Sequence, residues 1–168
     1  MDLRPGNIAD AGPIAALIAS FQPELTVDPS GAGADHFLAS VSEHAEREYL
    51  KSPRYFFIVA EDSGDVAGFI AIRDNTHLCH LFVARRFHRQ GLGRRLWHEA
   101  RAEALRRGNP GEFTLNSSLN AIPVYTSFGF VPSAPITTMH GISFLPMRLS
   151  PDDKPNQAMH RTAGRSDP

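Results

Sequence analysis

The 168-residue sequence predicts one α+β domain: a mixed, mostly antiparallel and twisted sheet of six to seven strands, with about four helices packed on it. Three observations lead there. Apolar residues recur at helical spacing up to about residue 50 and then switch to a strand-like run at Tyr55. Three β-rich runs then follow one another across short polar turns, as an antiparallel meander requires. An apolar fraction of 42% and a charged fraction of 21% are ordinary for a folded chain. The length suffices for one sizeable core.

In order along the chain, Asp2-Leu3-Arg4 reads as a short strand. Residues 10–21 read as a helix capped by Asp10, with Ile14, Leu17, Ile18 and Phe21 as its buried stripe. Residues 22–34 hold Pro23, Pro29, Gly31 and Gly33 and predict a loop. A second helix spans 35–50, with Leu38, Val41 and Ala45 inside and Glu43, Glu46 and Arg47 outside. The meander follows: 55–60, 66–72 and 78–83. Alternation on the third strand puts His77, Cys79 and Leu81 on one face and Leu78, His80 and Phe82 on the other. Gly91 to Arg107 is the clearest helix, with Leu92, Leu96, Trp97, Ala100 and Ala104 on one side, and Gly108-Asn109-Pro110 ends it. Phe113-Thr114-Leu115 is a strand, 121–128 a short helix, and two last strands lie at 136–139 and 142–149. Residues 150–168 offer only Ala158, Met159 and Ala163 as apolar groups and predict a disordered tail.

Charge is near balance overall, at −1, but unevenly placed. Eight arginines and only Glu99 and Glu103 fall between positions 85 and 107, a local charge of +6. Such a stretch is either a solvated helix face or the seat of an anionic ligand. A near-neutral chain without an exposed aromatic ladder argues against a nucleic-acid binder. Cys79 is the single cysteine, so no intrachain disulfide forms, which suits a reducing compartment. Residues 1–5 carry no apolar leader and no apolar run reaches the roughly 18 residues of a membrane span, so a cytoplasmic, membrane-free protein is expected. His77-x-Cys79 supplies only two ligands and no CxxC or HExxH pattern exists, so no metal is expected.

The junction from Val83 to Arg95 carries the chemistry. A strand ends, a basic loop follows, and a helix begins at Gly91-Leu92-Gly93. The first turn of a helix leaves backbone N–H groups unpaired and attracts phosphate. Arg94 and Arg95 stand in that positive first turn, where a cation costs about 0.3–1 kcal/mol unless an anion sits there. Leu96 stands where a Rossmann fingerprint needs glycine, and the Walker lysine is missing.

His88-Arg89-Gln90-Gly91-Leu92-Gly93 resembles the Gln/Arg-x-x-Gly-x-Gly/Ala pattern of the GNAT superfamily of acyl-CoA-dependent N-acetyltransferases, with His88 in the Gln/Arg position. Downstream, Ser118-Leu119-Asn120-Ala121 through Tyr125 to Gly129-Phe130 resembles that family's Asn-x-x-Ala-x-x-x-Tyr-x-x-x-Gly-Phe signature, with Ser118 in place of the first Asn and Asn116 and Asn120 close by. The resemblance covers residues 1–149. It implies a GNAT-like fold, acetyl-CoA as co-substrate, and acetyl transfer to a primary amine of a small molecule or a protein through a ternary complex, in a monomer or homodimer. It implies cofactor contacts at Phe82, Val83, His88, Arg89, Gln90, Gly91, Leu92, Gly93 and Arg94, and at Asn116 or Ser118. A free strand N–H near Phe82 would receive the oxyanion. Tyr125 would assist the departing thiolate, by hydrogen bonding as much as by donation, because a tyrosine near pKa 10 is a weaker acid than a thiol near 8.5. An alkylammonium acceptor needs a base. His77 is the candidate, with His80 as fallback and Glu48 and Glu61 also open. The alternative is a catalytically silent acyl-CoA-binding module of the same fold.

Overall fold

The structure is a computed structural model, and it describes residues 1–153. The expected tail lies outside the described residues from position 154 onward. Eight strands form one sheet: β1 (Asp2–Pro5), β2 (Tyr55–Asp62), β3 (Asp65–Arg73), β4 (His77–Val83), β5 (Phe113–Ser118), β6 (Val131–Pro132), β7 (Thr137–Met139) and β8 (Ile142–Leu149). Their order is β1-β2-β3-β4-β5-β8-β6, with β7 also paired to β8. Every pair is antiparallel except β4 with β5. The sheet exceeds the expected strand count because two-residue β6 pairs with β8, a segment too short to show a period.

Six helices flank the sheet among the described residues: α1 (Ala11–Ala19), α2 (Gln22–Leu25), α3 (Asp35–Ser40), α4 (Glu43–Lys51), α5 (Leu92–Arg106) and α6 (Ile122–Ser127). The count exceeds four for two reasons. Pro23 stands in the first turn of α2, a short helix inside the expected loop. Ser42 leaves the helical region (ψ 161°) and its hydroxyl accepts the Ala45 N–H at 3.2 Å, so it caps a new helix, α4, and splits the expected 35–50 span. Asp10 does not cap α1. Its carboxylate accepts from the Asn7 N–H, closing a capping box around a single 3-10 turn, and takes two bonds from Arg4 at 2.8 and 2.9 Å.

The continuous apolar runs of β2 and β3 reflect burial on both faces. Ile58, Ala60, Ile70 and Ile72 pack toward α5, whose Leu96, Ala100 and Ala104 are fully buried. Phe57, Val59, Phe69 and Ala71 pack toward α1, against Ile14 and Ile18. Alternation along the strands assigns these faces. On β4 the alternation is interrupted. Ala71 opposes His80 and Ile72 opposes Leu78, so Cys79 is an extra, bulged residue. Leu78, Leu81 and Val83 therefore belong to the α5 side, while Phe82 joins the α1 side and His80 reaches Glu46 of α4. The expected grouping of Leu78 with His80 and Phe82 is thus corrected by one inserted residue.

Candidate active site

β4 and β5 touch at only two positions, His77 opposite Thr114 and Leu78 opposite Leu115. Beyond them β4 follows β3 while β5 follows β8, and the two strands part. The Ala84 N–H donates to the Ala67 carbonyl at 2.8 Å, which fixes the alternation of hydrogen-bonded pairs along β3 and β4. By that alternation the backbone of Phe82 turns toward β3, whereas those of Leu81 and Val83 turn into the gap. The free N–H expected near Phe82 thus lies on its two neighbours.

A cavity of about 790 Å³ occupies this gap and reaches both faces of the sheet. Asn116, Ser118, Asn120 and Tyr125 all line it, so the three polar candidates that compete in the sequence stand together. Tyr125 is buried against Phe128 and Phe130, and that burial pushes its hydroxyl well above the usual tyrosine range. Cys79 also lines the cavity, and burial pushes its thiol up to about 11, so it is no ready nucleophile.

At one mouth of the cavity lies the basic turn. Arg89 (φ 61°) and Gly91 (φ 78°) both adopt left-handed backbone, which swings the chain into α5. A Cβ added at Gly91 would meet no atom within 4 Å, so that side of the turn is open. No side chain caps α5 among the described residues, and its first helical bond runs from the Arg95 N–H to the Gly91 carbonyl at 3.0 Å. The N–H groups of Leu92, Gly93 and Arg94 are left over by helix geometry. The Leu92 side chain itself is core. Gln90 donates to the Arg86 carbonyl, and Arg94 donates to Ser127 and lies over Phe128, which ties α5 to α6. His88 stacks on Phe21, and its Nε2 lies 2.7 Å from the Val83 carbonyl, to which it donates. Arg85 also lies over the Phe21 ring and pairs with Glu24.

The other mouth opens between Phe37, Tyr49, Tyr55 and Arg73. His77 stands at the closed end of the gap, its Nδ1 2.8 Å from Thr114 Oγ1. Burial, then Arg73 and His80, lower its pKa. Glu48 and Glu61 lie outside the cavity, bonded to Lys51 and Arg4. The site residue that the sequence pattern misplaces is Glu46. The pattern puts it outside, but it is fully buried beneath His80, with Oε1 3.2 Å from His80 Nε2. Its spacing to Tyr49 and Leu50, three and four residues on, is the signal that would find it once the helix is started at Ser42. Among the described residues no group of three or more His, Cys, Asp and Glu is placed to hold a metal ion, and no helix is long and apolar enough to cross a membrane.

Comparison with known proteins assigns the family to which this splayed strand pair and uncapped helix belong. The acetyltransferase (GNAT) domain family matches residues 25–151, and the chain belongs to that family as an acyltransferase. The fold is shared with a GCN5-related N-acetyltransferase from Rhodopseudomonas palustris (19% identity, 88% of this chain and 93% of that one, TM-score 0.70). It is shared with the PaiA N-acetyltransferase from Thermoplasma acidophilum in complex with coenzyme A (16% identity, 88% and 98%, TM-score 0.64). It is also shared with the ribosomal-protein-alanine N-acetyltransferase from Brucella melitensis (20% identity, 88% and 98%, TM-score 0.65). No curated protein sequence matches the chain.

Proposed function

We propose that the protein moves an acetyl group from acetyl-CoA to a primary amine, of a small molecule or a protein, by direct attack within a ternary complex. The observation that carries this reading is the gap between β4 and β5, whose lining runs to Val83, Arg85 and His88 on the turn that leads into the bare N-terminus of α5. The pyrophosphate sits on the N–H groups of Leu92, Gly93 and Arg94, inside the +6 stretch. The pantetheine arm runs between the parted strands past Val83, Asn116 and Ser118. The thioester carbonyl accepts from the Leu81 N–H, a donor already aimed into the cavity. Tyr125, raised in pKa by burial, acts as a hydrogen-bond donor to the leaving sulfur rather than as a full acid. The amine enters from the Tyr49–Arg73 mouth, on the opposite face from α5. That the similar fold of PaiA was solved with coenzyme A supports the donor; the acceptor class rests on the family.

The test is calorimetric titration with acetyl-CoA beside a thiol-release assay across a panel of primary amines. Saturable binding and amine-dependent thiol release are expected. Binding without release for any amine would instead make the protein a silent acyl-CoA-binding module.

A further inference from the structure

We propose that His80 and Glu46 act as a pair that takes the proton from the incoming ammonium: His80 touches the acceptor, and Glu46 is a positioning residue that orients the imidazole. The inference rests on the acetyl-transfer reading above. Glu46 projects from α4 into the interior at 0% exposure, and among the described residues neither carboxylate oxygen has an aligned hydrogen-bond donor. A buried carboxylate without partners is costly and rarely idle. The nearest group is His80 Nε2, at 3.2 Å but off the line of a good hydrogen bond. Such bonds in the free enzyme often align only when substrate is bound. His80 keeps 14% of its side chain exposed, and the residue lines the cavity.

The bulge at Cys79 is what places His80. It turns the ring toward α4 while leaving Leu81, the next residue, with its N–H facing the gap. The base is therefore adjacent in sequence to the donor that receives the thioester oxygen. His77 is three residues earlier, about 10 Å along the strand, with its ring engaged by Thr114. Phe69 of β3 and Phe82 of β4 lie against the His80 ring, the His77 ring feels its charge, and Tyr49 of α4, Arg73 of β3 and Cys79 line the same cavity. Among the described residues Glu46 is the one carboxylate in direct reach.

With Nε2–H turned to Glu46, Nδ1 holds the free lone pair. R–NH3⁺ gives its proton to Nδ1, and the imidazolium is held by the Glu46 carboxylate. The neutral amine attacks the thioester carbonyl carbon; the C–N bond forms and the C–S bond breaks. The proton remaining in excess on nitrogen passes to the thiolate, giving the amide and free thiol, and His80 returns its proton to water.

The test uses the full chain and two acceptors of similar shape: benzylamine, an ammonium at neutral pH, and O-benzylhydroxylamine, uncharged there. Glu46→Gln keeps the volume and removes the buried charge, so the melting temperature should hold or rise. Its turnover of benzylamine should fall by about 10–100-fold, with acetyl-CoA affinity unchanged, at or below the lower limit of about 100-fold for acid–base catalysis because Glu46 acts through the imidazole. Turnover of O-benzylhydroxylamine should fall by less than about threefold, because that acceptor arrives deprotonated. His80→Gln should show the same split. Ring ¹⁵N NMR of the parent should report the Nε2–H tautomer at His80. Parental turnover in both variants, equal losses on both acceptors, or an Nδ1–H tautomer would each overturn the pair while leaving acetyl transfer intact. A parent protein that releases no thiol with either of these acceptors or with any amine of the panel above overturns acetyl transfer and this step together.

Discussion

Tyr125 and Cys79 show how burial decides the chemistry of one side chain. Both line the same cavity, and both are pushed toward their neutral forms. For Cys79 this removes the thiolate that an acyl-enzyme route would need. For Tyr125 it favours the neutral phenol, whose O–H is a hydrogen-bond donor. Tyr125→Phe should therefore keep acetyl-CoA affinity and lower single-turnover acetyl transfer by about 10–100-fold, at or below the lower limit of about 100-fold for general acids, as suits a hydrogen-bond donor. Transfer at the parental rate would make Tyr125 plain packing against Phe128 and Phe130. The Tyr125 position is legible in the sequence because a motif of fixed spacing carries it. Glu46 is not, because its burial depends on where α4 begins, and that is set by one hydroxyl of Ser42.

Among the elements, the turn into α5 is the part that must not change. Gly91 combines a left-handed φ of 78° with open space on its outer side. Gly91→Ala tests strain alone, about 1–2 kcal/mol of stability, with most affinity retained. Gly91→Glu adds a negative charge at the mouth of the helix and should weaken acetyl-CoA binding by more than about 50-fold, since charge at a helix N-terminus and phosphate cannot share one place. Calorimetry on both variants separates the two effects, and unchanged affinity in Gly91→Glu would remove the pyrophosphate from this turn. Both ends of α5 are legible to within one residue because its apolar stripe, Leu92, Leu96, Trp97, Ala100 and Ala104, is long and regular. The expected 35–50 helix fails because Val41 continues the stripe across a break that only the backbone reveals.

Across the whole molecule, stability resides on the two faces of β2 and β3. Leu96 is fully buried where α5 crosses the sheet, and Leu96→Ala should cost about 2–5 kcal/mol, read as a lower midpoint in urea unfolding. The edge of the sheet is pinned differently, by Arg4 of β1 on Asp10 and Glu61. Burial works against the Asp10 carboxylate, yet the bonds from Arg4 and the Asn7 N–H outweigh it and hold its pKa below the usual aspartate value. A depressed carboxyl pKa means that the unfolded chain binds the proton more readily. The contribution of Asp10 is therefore fully present above about pH 4–5 and is lost as the pH falls through its folded pKa. Melting temperatures should fall as the pH drops from about 6 to about 3, and Asp10→Asn should flatten that slope. An equal slope in the variant would mean that other carboxylates govern acid unfolding.

Local spacing is enough to establish the α+β class, the meander, α5 with its glycine entry, and the place of Tyr125, because each is written in neighbouring residues or in a motif whose geometry is local. Which backbone groups face the gap, and which acid meets which histidine, follow instead from contacts between distant segments. They depend on a single inserted residue at Cys79 and on a strand pair that separates after Leu78. The separation accompanies the pairing of β5 with β8, two strands far apart in the chain, and no local pattern encodes such a pairing.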